Sequence, residues 1–355
     1  EEHSYDFAAF NIFILTHDRI VDQVSFTIFD KIDFLVIDEV YKLKRNESDD
    51  RVLILNLAYH HLVKVSVKHV LLAPFIGGID NIEELAKKPS FVKSNFSPVV
   101  NQVKSYKVED GDEHRFDQVN KILKDIGTEE KTMVYFHTVA NIYKYINSHI
   151  PVREVEITGI AENFISWMKE EIHEEWYLVK SMERGFLVHN GQLSTGIRML
   201  QLELYNEDTS FNTLLCTSTL LEGVNTTAKH VIISKAARYP DDFDAFDFYN
   251  LVGRSGRLFK HYLGIAHYIQ GPDDPDFNKA DAERKIEFEI TGDSTDIDIQ
   301  LDNMEKINAN EEYQEFLTRL GITHEEYKDK IGSKYRFKTV KEFIIWSICA
   351  MRGHI

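Results

Sequence analysis

"DFLVIDEVYKL", Asp33 to Leu43, is the stretch on which the reading of this chain turns. Four apolar residues run without interruption into two adjacent carboxylates, Asp38 and Glu39, and the sequence then becomes amphipathic. A strand with one wet face alternates apolar and polar residues. A continuous apolar run instead predicts a strand buried on both faces, as in a parallel sheet flanked by helices. Such sheets bind ligands outside the carboxyl ends of their strands, where Asp38 and Glu39 fall. Two neighbouring negative charges there need a cation or a chemical task. Asp38 can hold Mg²⁺, and Glu39 can orient or deprotonate a water attacking a nucleotide γ-phosphate. An N-cap Asp followed by a first-turn Glu gives the same letters, and on this stretch alone the two readings weigh equally.

Outward from this stretch, short apolar runs recur: "NIFIL" (11–15), "HVLLA" (69–73), "TMVYF" (132–136), "GFLVH" (185–189), "NTLLC" (212–216), "HVIIS" (230–234) and "GIAHYI" (264–269). Helical text lies between them, such as "NIYKYINSHI" and "AENFISWMKEEIHEEWYLVKSM". Strand–helix alternation of this kind gives parallel sheets with right-handed crossovers. The polar passage "KSYKVEDGDEHR" reads as a linker over 104–115, with one α/β domain at 1–103 and a second at 116–270. Residues 271–355 read as an acidic, mostly helical C-terminal region that could hold a protein partner.

The length of 355 residues exceeds one ordinary core and suits two domains with an appendage. Two cysteines, Cys216 and Cys349, cannot form a disulfide framework, and a buried thiol in a reducing cytoplasm is expected. No run approaches the roughly 20 apolar residues of a membrane span, and "FIIWSICAM" reads as a core helix. His60, His61 and His69 lack a metal-ligand spacing. The net charge of −17 does not favour nucleic acid, but residues 271–330 hold 18 Asp and Glu against 7 Lys and Arg, a balance of −11. Most of the excess is therefore local, and the rest can carry a nucleic-acid groove.

Two further stretches carry chemistry. "FYNLVGRSGRLF" sets Arg254 and Arg257 three apart, with glycines at 253 and 256. An arginine pair whose glycines permit close backbone approach suits a phosphoryl group that gains charge in the transition state; a solvated basic turn is the plain alternative. "LLCTSTLLEGVNTTAKHVII" ends a strand in Thr217, Ser218 and Thr219 before a turn with Gly223 and Asn225. Hydroxyls at such a junction donate to a phosphodiester backbone, or merely cap a helix.

Taken together these motifs resemble superfamily-two helicases of the DExH type, nearest their Ski-like branch, over roughly residues 7 to 270. "IDEVYKL" is similar to that family's Walker B segment and "FILTHDRI" to its "TPER" segment. "GFLVHNGQLSTGIRMLQLELYNE", "TSTLLEGVNTTAKHVII" and "NLVGRSGR" resemble its later motifs. The resemblance implies tandem RecA-like domains, the first one incomplete, and an ATP-dependent helicase or translocase that uses Mg²⁺ and grips a single strand in the interlobe groove. DNA is favoured over RNA. Carried over by position, Asp38 is the Mg²⁺ ligand and Glu39 the base, while Arg254 and Arg257 reach the γ-phosphate. Gly223, Asn225 and Asn250 lie near the nucleotide, and Thr16, Arg19, Thr138, His189, Thr217 and Ser218 along the strand.

The departures are specific. No G-x-x-x-x-G-K-[ST] occurs, so the phosphate-cradling loop is missing and the first domain is read as truncated. "LAPFIGG" puts Ala73 and Phe75 where the family has hydroxyls. Tyr41 replaces a His and Asn250 a Gln. A body without a P-loop that binds nucleic acid or a partner without hydrolysing ATP is the competing expectation.

Overall fold

The computed structural model describes residues 8–16, 19–20, 29, 31–43, 50–85, 87, 89–94, 96–97, 99–220, 228–238, 241–256, 260–288, 296–301, 303–332 and 335–351. The chain divides into two compact units, Glu1–Lys93 with Arg284–Ile355, and Ser94–Glu283.

In the first unit, strand β1 (Ile32–Ile37) pairs in parallel with β2 (Ser66–Leu71), and helix α1 (Asp50–Val65) makes the crossover between them. A third short strand, β3 (Ile76–Ile79), follows. The expectation that β1 is buried on both faces does not hold. Phe34 is 58% and Val36 49% exposed, because the β1–β2 pair has one layer packed against it, through Leu35, Ile37 and Leu71. The strand expected at 11–15 is irregular chain, and Phe10, Ile12 and Ile14 are almost fully exposed.

The second unit begins at β4 (Val100–Lys107) and α2 (Asp112–Ile126). These two elements occupy the passage read as a linker. Next come β5 (Thr132–Tyr135), α3 (Val139–Ser148), α4 (Gly159–Glu171), α5 (Tyr177–Met182), β6 (Phe186–His189), α6 (Thr195–Glu207), β7 (Thr213–Cys216) and β8 (His230–Ile233). A two-residue ribbon, β9 (Ala237–Arg238) with β10 (Asp241–Asp242), leads to α7 (Ala245–Val252) and β11 (Leu263–Gln270). Six strands form one sheet in the order β4-β11-β8-β5-β7-β6, and every pairing is parallel. All residues of β5, β6, β7 and β8 are buried, which is what continuous apolar runs require. Cys216 is one of them, and burial pushes its thiol up.

Side chains start the helices where the backbone N–H groups lack partners. Thr138, Ser194 and Asp244 cap α3, α6 and α7 by accepting from Asn141, Ile197 and Asp247. The "GPDDPD" turn, expected in the C-terminal region, belongs to this unit. Arg115 of α2 fastens it through an ion pair to Asp274 (2.7 Å) while donating to the carbonyls of Ser234 and Ile269.

The chain then returns to the first unit. Strand β12 (Arg284–Ile286) pairs in parallel with β3, and Asn81 holds Phe288 with two hydrogen bonds, Nδ2 to the carbonyl (2.7 Å) and Phe288 N to Oδ1 (3.0 Å). Helices α8 (Ile297–Gln300), α9 (Met304–Ala309), α10 (Glu311–Leu320), α11 (His324–Tyr327) and α12 (Phe337–Met351) follow. Their core is Ile297, Leu301, Ile307, Tyr313, Phe316, Leu317, Tyr327 and Phe337. Asp298 lies inside it and accepts from Phe337 N (2.9 Å), so it caps α12 from the far side of α9, α10 and α11 in sequence. Burial, with Asp296 beside it, raises its carboxyl to about 7. Of "FIIWSICAM", Ile344 packs on this core and Phe343 is 65% exposed. The architecture is α/β with a helical C-terminal part, as the sequence pattern implied, but the domain borders fall elsewhere.

Candidate functional site

At the end of β1, Asp38 does not cap an α-helix. A single 3-10 turn, Val40–Leu43, follows it, and its carboxylate accepts from Glu39 N (2.8 Å). Glu39 has φ 54°, a left-handed conformation uncommon for a residue with a side chain. Its carboxylate is ion-paired to Lys42 (2.5 Å). Hydrogen bonds fix this turn to the next strand end, Leu72 N to the Ile37 carbonyl (2.8 Å) and Val40 N to the Leu72 carbonyl (2.9 Å). The departing "LAPF" segment is also left-handed at Phe75, φ 52°. Thr16 and Arg19 are exposed, and Ile20 N donates to the Thr16 carbonyl (3.2 Å). Among the described residues no group of three or more His, Cys, Asp and Glu could hold a metal ion.

In the second unit the expected residues fall on two opposite edges of the sheet. The carboxyl edge gathers Thr138 after β5, His189 at the end of β6, and Thr217 and Ser218 after β7. These strands are neighbours in the order β6-β7-β5, so residues 79 positions apart in sequence share one rim. His189 is buried, its Nδ1 lies 3.0 Å from Thr219 Oγ1, and its carbonyl accepts from Thr217 N (3.3 Å). Burial, with Arg198 nearby, lowers the imidazole to about 4, so it sits there neutral. Thr138, placed along the strand by the resemblance, caps its helix by accepting from Asn141 N (3.1 Å).

The same rim holds groups the motifs did not single out. Asn190 is fully buried, and its Nδ2 makes no well-aligned hydrogen bond among the described residues, with the Tyr177 phenol as its nearest acceptor. His137 Nδ1 is buried without a partner in the same way, and its imidazole is lowered by burial and then by Lys235. Buried polar groups without well-formed hydrogen bonds are costly and mark places where a polar ligand fits. Their only sequence signal is position, directly after a buried strand.

The amino edge carries the glycine–arginine loop. Helix α7, which bears the half-buried Asn250, ends at Val252, and Arg254 N donates to the Leu251 carbonyl (3.0 Å). Ser255 is fully buried, and Asn101 of β4 donates to both its carbonyl (2.7 Å) and its Oγ (2.9 Å). Gly256 adopts φ 77° and donates to the carbonyl of Ala228 (2.8 Å), just ahead of β8. Residues 254–256 are therefore fixed by backbone and side-chain hydrogen bonds. Arg257, Gly223 and Asn225 lie outside the described residues. The structure does not bring Arg254 together with His189 and Thr217: a strand length separates the two edges.

A polar relay runs beside the glycine–arginine loop. Lys229 is ion-paired to Glu130, whose other oxygen is 2.5 Å from His230 Nε2. His230 Nδ1 is 3.0 Å from His267 Nε2, and His267 Nδ1 is 3.0 Å from Tyr106 Oη. Burial, then His230, lowers His267 to about 4; burial also lowers His230, against the opposing pull of Glu130. The ordinary value of 6.5 applies in the unfolded chain, which therefore takes up protons first as pH falls. The contribution of this pair to the stability of the second unit is full above pH 6.5 and drains as pH falls towards 4. The expected slope is about 1.4 kcal/mol per pH unit for each proton by which the two states differ. The urea midpoint should fall across this window, and His267→Gln should flatten the fall. A midpoint unchanged between pH 7.5 and 4.5 would contradict the neutral pair.

Sequence comparison gives a finding of another kind. The chain is similar to Anti-bacteriophage protein B of Escherichia coli (strain K12). The two are 29% identical over 265 residues, 71% of this chain and 35% of that protein. The chain thus spans about a third of the length of the relative it matches. No protein-family model matches it. No helix among the described residues is long and apolar enough to cross a membrane.

Proposed function

We propose that this chain is part of an ATP-dependent nucleic-acid helicase or translocase of the DExH type, working in defence against bacteriophage. The observation that carries the reading is the carboxyl rim of the second sheet. His189, and Thr217 with Ser218, singled out from two separate stretches of sequence, lie there beside the buried polar groups of Asn190 and His137. Neutral donors on a rim of this kind suit phosphate oxygens, which carry no sequence information. The defence role comes from the name of Anti-bacteriophage protein B alone.

ATP and Mg²⁺ fit the first unit in a limited way. Mg²⁺ is commonly held by one or two carboxylates together with substrate phosphates and water, and Asp38 at a strand's carboxyl end offers one such oxygen ligand. Bound there, the ion would neutralise charge gathering on the phosphates. Glu39 would have to release Lys42 to act on a water. The ion pair that engages Glu39, and Ala73 and Phe75 where the resembled family has hydroxyls, favour a second reading, a helicase-like body that binds nucleic acid without turning over ATP.

The test is a fluorescence anisotropy titration of the chain with single-stranded DNA and RNA over a salt series. Binding is expected with a log–log slope shallower than about −6, since few counterions are released. Ser218→Asp, which sets a negative charge on the rim, should weaken binding at least tenfold. No binding to either strand at low salt would overturn both readings, and binding without ATP turnover would select the second.

A further inference from the structure

The text of residues 161–182 breaks into α4 and α5, and α4 carries two apolar stripes. Ala161, Ile165 and Met168 enter the core. Ile160, Phe164 and Trp167 repeat at the same spacing about 100° away round the helix; Phe164 is half-buried at the margin of the core, and Ile160 and Trp167 stay outside it. Ile160 is 65% and Trp167 46% exposed, and Ile172, just past the helix end, is 45% exposed. Phe164 and Trp167 stack with centroids 5.6 Å apart and planes at 18°. The pair forms a flat platform already ordered before any partner arrives, so docking loses little side-chain entropy.

A surface helix ordinarily hides one stripe, and a second stripe left in water with a polar rim marks an interaction site. The rim here is acidic. Residues 154–175 contain seven glutamates and one lysine. That lysine, Lys169, is ion-paired to Glu183 (2.5 Å), and the neighbouring Lys180 to Glu175 (2.5 Å), so neither is left to offset the remaining glutamates. Glu170 and Glu171 flank the exposed stripe on its own helix.

We propose that this face of α4 docks a basic amphipathic helix of a partner protein. The partner's apolar side lies over Ile160, Phe164 and Trp167, and its Lys or Arg residues meet Glu170 and Glu171. A second copy of this chain is a poor occupant, because its net charge of −17 brings like charges to the rim. Anionic lipid and nucleic acid are turned away by the same carboxylates. The proposal is independent of the motor reading, whose residues lie elsewhere on the unit.

The probes are two fluorescent synthetic peptides of equal length with the same leucine face, one with lysines and one with glutamates on the polar face. Each is titrated against the full chain by anisotropy. The lysine peptide is expected to bind and the glutamate peptide not. Trp167→Ala and Ile160→Ser should each weaken binding at least tenfold, and the double change Glu170→Lys with Glu171→Lys should do the same. Thermal midpoints should stay near wild type, since the replaced side chains are exposed. Failure of the lysine peptide to bind overturns the proposal, as does equal binding to Trp167→Ala and Ile160→Ser. A concentration-dependent dimer in light scattering that Trp167→Ala abolishes overturns it in favour of self-association.

Discussion

Gly264→Ala is expected to destabilise the second unit by about 3 kcal/mol or more, the upper range for forcing atoms into a filled site. For a unit of this size that is a fall of roughly 6–12 °C in Tm, read by calorimetry or circular dichroism. Gly264 opens β11 opposite Asn101, and Ser255 lies against its α-carbon. An added Cβ would fall inside the Ser255 carbonyl and 2.6 Å from its Oγ. Neither group can retreat. Ser255 Oγ donates to the Val252 carbonyl (2.7 Å), and Asn101 grips both Ser255 atoms from the adjacent strand. Gly256 makes the counterpart contact, with a Cβ there only 3.0 Å from Gly264 N. The substitution must move the loop that presents Arg254, while His189 and Thr217 lie a strand length away. Nucleic-acid binding at the carboxyl rim should therefore survive where folding does. Gly196→Ala, with open space at its Cβ, is the control and should leave Tm unchanged or slightly raised. A Gly264→Ala protein within about 1 kcal/mol of wild type would mean that the loop is not clamped as described.

This clamp also illustrates what the sequence could reveal. Strands β5 to β8 are buried on both faces, so each is a continuous apolar run and each was legible. Strand β4 was not. As the outer strand beside β11 it reads "VNQVKSYK"; its second half was read as linker and its first half, with the Asn101 that holds Ser255, as the end of the first domain. Pairing of β3 with β12 was hidden for a different reason. The partners are about 200 residues apart, and neither is long enough to announce itself. At β1 the sequence misled, because an apolar run states what a strand would prefer to bury and not what is packed against it. The rim followed the same logic. His189, Thr217 and Ser218 could be named from their places after apolar runs. The buried amide of Asn190 could not, since what surrounds a polar group is a property of the folded neighbourhood.

In a form of the protein that hydrolyses ATP, Arg254→Ala and Arg257→Ala should each reduce turnover by about 10³-fold or more, with ATP affinity changed only a few-fold. The reasoning is differential. A guanidinium aimed at a γ-phosphoryl group meets charge that peaks in the transition state, so its loss raises the barrier more than it weakens the ground state. Arginine fingers contribute about 10³–10⁵ in rate in other phosphoryl-transfer enzymes. Lysine should rescue poorly at either position, because an ammonium cannot reproduce the planar two-pronged donor. Asp38 and Glu39 belong to the other unit, so Glu39→Gln should match the arginine variants in turnover without sharing their dependence on the Gly256–Gly264 clamp. Strand affinity should hold in all of them, since the arginine loop and the carboxyl rim occupy opposite edges of one sheet. Paired measurements decide the matter: ATP binding by calorimetry, and turnover at saturating single-stranded DNA. If Arg254→Ala and Arg257→Ala both turn over ATP within a few-fold of wild type, the clamped loop is a structural corner of the sheet. The motor reading would then rest on the rim alone, which a binding module without hydrolysis explains equally well.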